Sequence, residues 1–376
     1  MQRSTESGSF SDLKVAIVHD YLTQRGGAER VVLSMLKAFP GAVIYTSLYR
    51  PEATFAEFRG ADVRTLALNR VGMLRRHHRL AFPFLAPAFS TLRIDADVAL
   101  CDSSGWAHGV QVRGRKVVYC HTPARWLYSP DTYLREGASA GHVALALLGG
   151  PLRRWDRRAA STAHRYLTGS NEVLGRIAST YGRSAEVLPS PPGVDPSGPL
   201  EPVPGLRPGF FLVIARLLAY KNVDAVVSAF RQLPDQELVV VGTGPQEAAL
   251  RATAGPNVRI HGAVTSDCQI RWLYANCRAV VAAAYEDQGL IPIEAASFAK
   301  PAAALRWGGF VDAVVEHETG VFFDEPEPDA VADAIHRLAQ RAWDPEVLVA
   351  QAELFSERRF IARLREIVDE EMASCD

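Results

Sequence analysis

The chain has 376 residues, 48% of them apolar, and a formal net charge of −1. Its length exceeds one ordinary hydrophobic core and predicts two domains, and its apolar content excludes a disordered polymer. The charge is unevenly spread: residues 1–200 carry 25 Lys and Arg against 16 Asp and Glu, and residues 201–376 carry 16 against 26, so the halves stand near +9 and −10. A basic first half suits contact with an anionic surface, whereas nucleic acid is not an expected partner, because the basic residues are scattered and no aromatic RNA-binding signature or zinc-finger spacing accompanies them.

Five cysteines (Cys101, Cys120, Cys268, Cys277 and Cys375), odd in number and without a CxxC pair, predict a reduced, cytoplasmic setting. The opening MQRSTESGSFSDLK is polar where a signal peptide would be apolar, and the apolar run 143–152 is too short for a membrane span. A soluble protein is expected.

In chain order, strand-like runs recur between helix-like segments: KVAIVHDY (14–21), AVIYTSLY (42–49), DVALCDS (97–103), KVVYCH (116–121), FFLVIAR (210–216), ELVVVGTG (237–244) and AVVAAAY (279–285). Continuous apolar strands alternating with helices predict an α/β fold with parallel sheets covered on both faces. The stretch 189–209, PSPPGVDPSGPLEPVPGLRPG, is too rich in Pro and Gly for helix or central strand and reads as a linker. The expected domains are therefore 12–188 and 210–354, each Rossmann-like and presenting the carboxyl ends of its strands to a shared cleft. Residues 355–376 follow as an amphipathic helix, with Phe360, Ile361, Leu364, Ile367 and Val368 at helical spacing, expected to cross back to the first domain.

The chemistry-bearing motifs fall at strand ends. After the first strand, Gly26-Gly27-Ala28-Glu29 lets the backbone approach a ligand and opens a helix, or makes a plain tight turn. Arg70, Arg75, Arg76, His77, His78 and Arg79 precede the apolar LAFPFLAPAF; this is either a surface for an anionic membrane or a solvated helix followed by core. His121, in Tyr-Cys-His-Thr-Pro, sits where a side chain can hydrogen-bond a sugar hydroxyl, though a buried histidine is more often structural.

In the second half, Arg216 and Lys221 stand five residues apart after a strand, placed to neutralise a departing diphosphate or simply solvated. Gly242 and Gly244 mark a strand-to-helix turn. Finally, in Glu286-Asp287-Gln288-Gly289-Leu290-Ile291-Pro292-Ile293-Glu294 a strand gives way to a helix expected to begin at Pro292, whose N-terminus would bind phosphate. Glu294 would lie in its first turn, as a ligand or as a capping charge. The absence of GxGxxG after either domain's first strand weighs against a dinucleotide oxidoreductase.

The Glu-x7-Glu spacing of Glu286 and Glu294 resembles the donor motif of retaining glycosyltransferases of the GT-B fold, specifically family 4, and the resemblance runs from about Lys14 to Val368. It implies that Glu286, Asp287, Gln288, Gly289 and Leu290 meet the transferred sugar, that Glu294 meets the ribose, that Arg216 and Lys221 hold the diphosphate, and that Gly26, Gly27, Gly242 and Gly244 approach the donor. Gln288 stands where Phe is frequent, which bears on sugar selectivity. The run from Tyr119 to Arg125 is similar to a subgroup containing bacterial mannosyltransferases of surface polysaccharide synthesis, and it implies that His121 lies beside the sugar. Trp126-Leu127-Tyr128-Ser129-Pro130 departs from the usual Tyr-x-Trp-Asp ending, where the acceptor would be read.

The implied reaction moves a hexose, mannose from GDP-mannose by preference or a sugar from a UDP donor, to a glycan or lipid-linked acceptor, without cofactor or metal. The expected place is the cytoplasm, including the inner face of the plasma membrane. A paired-carboxylate glycoside hydrolase, a nucleotide-sugar epimerase and a non-catalytic nucleotide-sugar-binding protein are the alternatives.

Overall fold

A computed structural model describes residues 13–128 and 139–374. Its strands, in chain order, are β1 (Val15–His19), β2 (Val43–Thr46), β3 (Val63–Thr65), β4 (Arg93–Ile94), β5 (Val98–Ser103), β6 (Gln111–Val112), β7 (Arg115–Cys120), β8 (Arg165–Thr168), β9 (Glu186–Val187), β10 (Phe211–Ile214), β11 (Leu238–Val241), β12 (Val258–Gly262), β13 (Ala279–Ala282), β14 (Ala302–Leu305) and β15 (Gly320–Phe323). The chain forms two compact units. The first comprises the described residues up to Thr168, Val173–Leu188 and the chain from Phe360; the second comprises Gly169–Glu172 and Pro189–Arg359.

The first unit is built on a seven-stranded sheet, β3-β2-β1-β5-β7-β8-β9, whose pairs are all parallel. Its central strands are buried along their whole length, as continuous Val, Ile and Leu runs require when helices cover both faces. On one face the helix Gly27–Ala38 packs Val31, Val32 and Met35 beside Ile17 and Leu100. The helix Glu357–Ala373 adds Phe360, Leu364, Ile367 and Val368 to the same cluster. Charged contacts hold that helix at its edge: Arg115 donates to Glu371 through Nε at 2.9 Å and Nη2 at 2.6 Å, and Arg365 donates to the Ala38 carbonyl at 2.9 Å.

The second unit carries a six-stranded parallel sheet, β12-β11-β10-β13-β14-β15. Residues 189–209 contain neither helix nor strand and belong to this unit, with Val203 buried in its core.

Both sheets reverse their strand order once, between β1 and β5 in the first and between β10 and β13 in the second. At such a reversal the helices that follow the two strands leave toward opposite faces, opening a crevice at the carboxyl edge, and ligands of open α/β sheets bind there. Among the described residues no helix is long and apolar enough to cross a membrane. The N-terminal peptide through Asp12, Ser129, Pro130 and Cys375 lie outside the described residues, as do the side chains of the first half of the 143–152 run.

Candidate functional site

In the second unit the reversal lies between β10 and β13, and the predicted residues converge on it. The chain leaves β10 through Ala215 and Arg216, makes a 3₁₀ turn at Ala219–Lys221, and is pinned by Asn222 in the left-handed conformation (φ 51°). The Asn222 side-chain amide donates to the Ala283 carbonyl just beyond β13 at 2.8 Å, and the Tyr285 backbone amide donates to the Tyr220 carbonyl at 3.2 Å. This stitching brings the Lys221 ammonium onto the Glu286 carboxylate as an ion pair. The Lys221 side chain is 10% exposed and that of Glu286 32%. A small cavity lined by Ala215, Lys221, Ala284, Glu286, Ile291 and Phe310 opens beside them. Arg216 lies close by, donating to the Tyr220 hydroxyl at 3.2 Å.

The glycines serve close packing of backbone on backbone. A Cβ on Gly242 would stand 1.8 Å from the Ala215 carbonyl oxygen, and one on Gly244 would stand 2.4 Å from that of Leu217. Only glycine at these positions lets the turn after β11 seat the loop that carries Arg216. The turn is tied there by the Leu217 amide donating to the Thr243 carbonyl at 2.9 Å.

The donor-like loop has the same construction on its other side, and here sequence reasoning missed two residues. Gly308 and Gly309 follow β14, and Gly309 donates its amide to the Glu286 carbonyl at 2.9 Å. A Cβ on Gly308 would meet that carbonyl at 2.2 Å, and one on Gly289 would meet the Gly309 carbonyl at 2.2 Å. The Gly-Gly pair after an apolar strand is the signal that could have found them.

Two expectations for this segment are corrected. The helix begins at Leu290, with Gly289 (φ 65°) as its cap, so Pro292 is its third residue. Pro292 is tolerated there because the N–H groups of a first turn have no intrahelical acceptor. Glu294 is consequently the fifth residue, beyond the first turn. Its buried carboxylate accepts from the Gly193 amide at 2.8 Å and from the Tyr274 hydroxyl at 2.5 Å. Burial first, and the Glu294 charge second, raise the Tyr274 hydroxyl well above its usual range, so it stays a donor. Gln288 accepts from Ser190 Oγ at 2.9 Å and packs against Gly169, while Asp287 is buried.

In the first unit, Gly26 caps the helix Gly27–Ala38 in an extended conformation, and the missing Cβ leaves room for the Glu29 carboxylate of its first turn. His121 follows β7 and touches Asp102, with Nε2 2.7 Å from Oδ2. Sequence reasoning missed Asp20, Asp102 and His19, which carry no motif of their own. Asp20 is buried just after β1 and accepts from the backbone amides of Ser104 at 2.8 Å, Trp106 at 3.2 Å and Ala107 at 2.6 Å. It thereby shapes the loop after β5, on which Trp106 stacks with Trp126 at 4.7 Å between ring centroids. Tyr128 donates to Asp156 at 2.8 Å, and Tyr128 and Trp126 are both half-buried. Among the described residues no group of three or more His, Cys, Asp or Glu is arranged to hold a metal ion.

Comparisons with known proteins agree with the fold of two parallel α/β units. Residues 203–353 match the family described as Glycosyl transferases group 1. A GDP-mannose-dependent alpha-(1-6)-phosphatidylinositol monomannoside mannosyltransferase of Mycolicibacterium smegmatis is 28% identical over 193 residues, 44% of this chain and 50% of that protein. A glycogen synthase of Thermus thermophilus is 32% identical over 142 residues, 36% of this chain and 32% of that protein. The chain thus spans about half the length, or less, of these curated relatives. Among solved structures, Anabaena HepE in complex with UDP superposes with a TM-score of 0.69 at 17% identity, covering 96% of this chain and 100% of that one.

Proposed function

We propose that this chain, of GT-B fold and with a glycosyl transferases group 1 domain in its second unit, is a retaining hexosyltransferase that uses a nucleotide diphosphate sugar. The observation that carries the reading is the Lys221–Glu286 pair at the strand-order reversal of the second sheet, with Arg216 on the adjoining turn. A leaving diphosphate concentrates negative charge as the sugar acquires oxocarbenium character, and fixed cations at its position lower the barrier. Lys221 and Arg216 supply that charge without a resident metal. Glu286 then turns from Lys221 to the sugar hydroxyls. The acceptor oxygen bonds to the anomeric carbon as the bond to phosphate breaks on the same face, and the acceptor proton passes to the departing phosphate oxygen.

Glu294 is the ribose ligand in this reading, since its carboxylate only accepts hydrogen bonds and a ribose hydroxyl donates one. Its enclosure by Gly193 and Tyr274 disfavours a paired-carboxylate hydrolase, which needs a second carboxyl free to meet water or a leaving group. GDP-mannose is the preferred donor because the mannosyltransferase relative is named for it, and a UDP-sugar is the second choice because HepE was solved with UDP. Thermal unfolding against GDP, UDP and ADP tests both. The matching nucleotide at a hundred times its dissociation constant stabilises by about 2.7 kcal/mol. If none of the three raises the melting temperature, the donor site is wrongly assigned; if UDP outranks GDP, mannose is the wrong sugar.

The acceptor is a glycan or lipid-linked molecule, and the reading places the protein on the inner face of the plasma membrane. The segment between β3 and β4 supports this. Leu74, Leu85 and Phe89 turn into the core, while Val71, Met73, Leu80 and Phe84 stand outward at 46–57% exposure among exposed Arg70, Arg76, His77 and Arg79. An apolar face rimmed by cations suits an anionic bilayer surface, where each arginine contributes about 1 kcal/mol. The double substitution Arg76→Ala with Arg79→Ala is expected to weaken sedimentation with phosphatidylglycerol vesicles by about 30-fold. Equal binding by the double variant, or equal binding to neutral vesicles, would remove the membrane from the proposal.

A further inference from the structure

Behind His121 lies a row of ionisable side chains that belongs to no sequence motif. β1, β5 and β7 are neighbours, and their register sets His19 beside Asp102, while the His121 amide donates to the Ser103 carbonyl at 3.0 Å. The carboxyl ends of three adjacent strands therefore deliver His19, Asp102 and His121 to one place. Asp102 Oδ1 lies 2.8 Å from His19 Nδ1, and Asp102 Oδ2 lies 2.7 Å from His121 Nε2. Glu29, from the helix after β1, ends the row 3.8 Å from His19 Nε2. His19, Asp102 and Glu29 are buried, and the His121 side chain keeps 12% exposure.

We infer that Asp102 is a positioning residue for His121, holding its imidazole in one orientation and one tautomer, and is itself held from behind by the His19–Glu29 pair. An ionised carboxylate only accepts hydrogen bonds, so its contact with His121 places a proton on Nε2 and leaves the lone pair of the neutral ring on Nδ1. His19 is hydrogen-bonded to Asp102 through Nδ1, while the Glu29 carboxylate stands 3.8 Å from Nε2, beyond hydrogen-bond reach, and the two carboxylates together favour the doubly protonated ring. Burial opposes this charge, but Asp102 and Glu29 outweigh it and raise the imidazole from 6.5 to about 10. Burial likewise works against the Asp102 charge, and His121 with His19 more than compensates, so its carboxyl is lowered.

The other groups nearby are committed elsewhere. Asp20 is occupied by three backbone amides, with His108 acting on it from the loop after β5. The Cys101 thiol is pushed up to about 12 by burial, with Lys116 working weakly the other way, and stays neutral. A purely structural network would have no need of a member that reaches solvent in part at a strand end, as His121 does. The inference rests on the glycosyl-transfer reading only for what His121 then does.

The test combines nitrogen NMR of the wild-type histidines with kinetics of Asp102→Asn, His121→Ala and the double variant. Neutral His121 is expected as the Nε2–H tautomer, and His19 is expected to remain doubly protonated through pH 9. Asp102→Asn should lower turnover by about 100-fold with donor KM little changed, and the double variant should lose no more than the worse single one. His19 adds a stability readout. Its folded pKa lies above its unfolded value, so its contribution is complete below about 6.5 and is lost as pH rises toward 10. The wild-type melting temperature should fall between pH 7 and 10, and His19→Gln should flatten that slope. A proton on His121 Nδ1, a His19 titrating near 6.5, or additive losses in the double variant would overturn the inference. The expected NMR in a protein that transfers no sugar would uphold Asp102 and sink the glycosyl-transfer reading.

Discussion

Lys221→Ala is expected to lower turnover by about 10²- to 10³-fold while leaving the fold nearly as stable as the wild type. The two halves of this expectation rest on different quantities. As a stabilising contact the Lys221–Glu286 pair is weak: Glu286 is about a third exposed, and a partly solvated ion pair is worth about 1 kcal/mol or less. In the proposed reaction the same ammonium would meet a diphosphate whose negative charge grows as the sugar leaves, in a site where Lys221 itself is largely shielded from water. Loss of one such preorganised charge costs about 3–4 kcal/mol of barrier. Steady-state kinetics with the matching donor and thermal unfolding of the same preparation separate the two. If activity falls only in step with melting temperature, Lys221 is a structural residue and the assigned diphosphate site is wrong.

Asp20→Ala is expected to destabilise the first unit by about 3–5 kcal/mol, the largest stability effect at any site residue. Its carboxylate accepts from Ser104, Trp106 and Ala107 in a buried loop, so its removal leaves three inward N–H groups without an acceptor. Asp20→Asn keeps one acceptor oxygen and should lose about half as much. Burial raises the Asp20 carboxyl, and the amides and nearby His19 and His108 work in the opposite sense, so these bonds offset much of the cost of keeping it in the interior. Urea unfolding measures both variants. A loss under about 1 kcal/mol for the alanine variant would mean that water replaces the carboxylate and that the loop needs no such anchor.

The two effects also locate what holds each site together. In the second unit, backbone packing does most of it: Gly242 and Gly244 let the loops after β10 and β11 lie directly on one another, Gly289, Gly308 and Gly309 do the same for the loops after β13 and β14, and the ionic side chains sit on that platform. In the first unit, buried charge does it, through Asp20 and Asp102 at the ends of β1 and β5. A substitution such as Gly242→Ala therefore acts on Arg216 through the Ala215 carbonyl, whereas a substitution at Asp102 acts on His121 through a hydrogen bond.

Much of this protein is legible in the amino-acid order because it depends on local pattern. Runs such as VAIVH, LVVV and AVVA are apolar without alternation, which only a strand covered on both faces can satisfy, and they give two parallel sheets. Helical spacing likewise marks Phe360, Leu364, Ile367 and Val368 as one buried stripe. The Glu286 to Glu294 spacing and the Arg216 to Lys221 spacing are also local, since each lies within one loop and the element beside it.

Tertiary structure alone decides the partners. Lys221 and Glu286 are far apart in the chain and meet because β10 and β13 are neighbours at the reversal. His19, Asp102 and His121 meet because β1, β5 and β7 are neighbours, an order that no spacing in the chain announces. The start of the helix at Leu290, with Pro292 inside it, was set by the left-handed Gly289 packed under Gly309, a contact between separate loops. Period and composition act within a few residues and specify elements, whereas the site is made by strand order, which is settled only when the whole sheet buries its two faces at once.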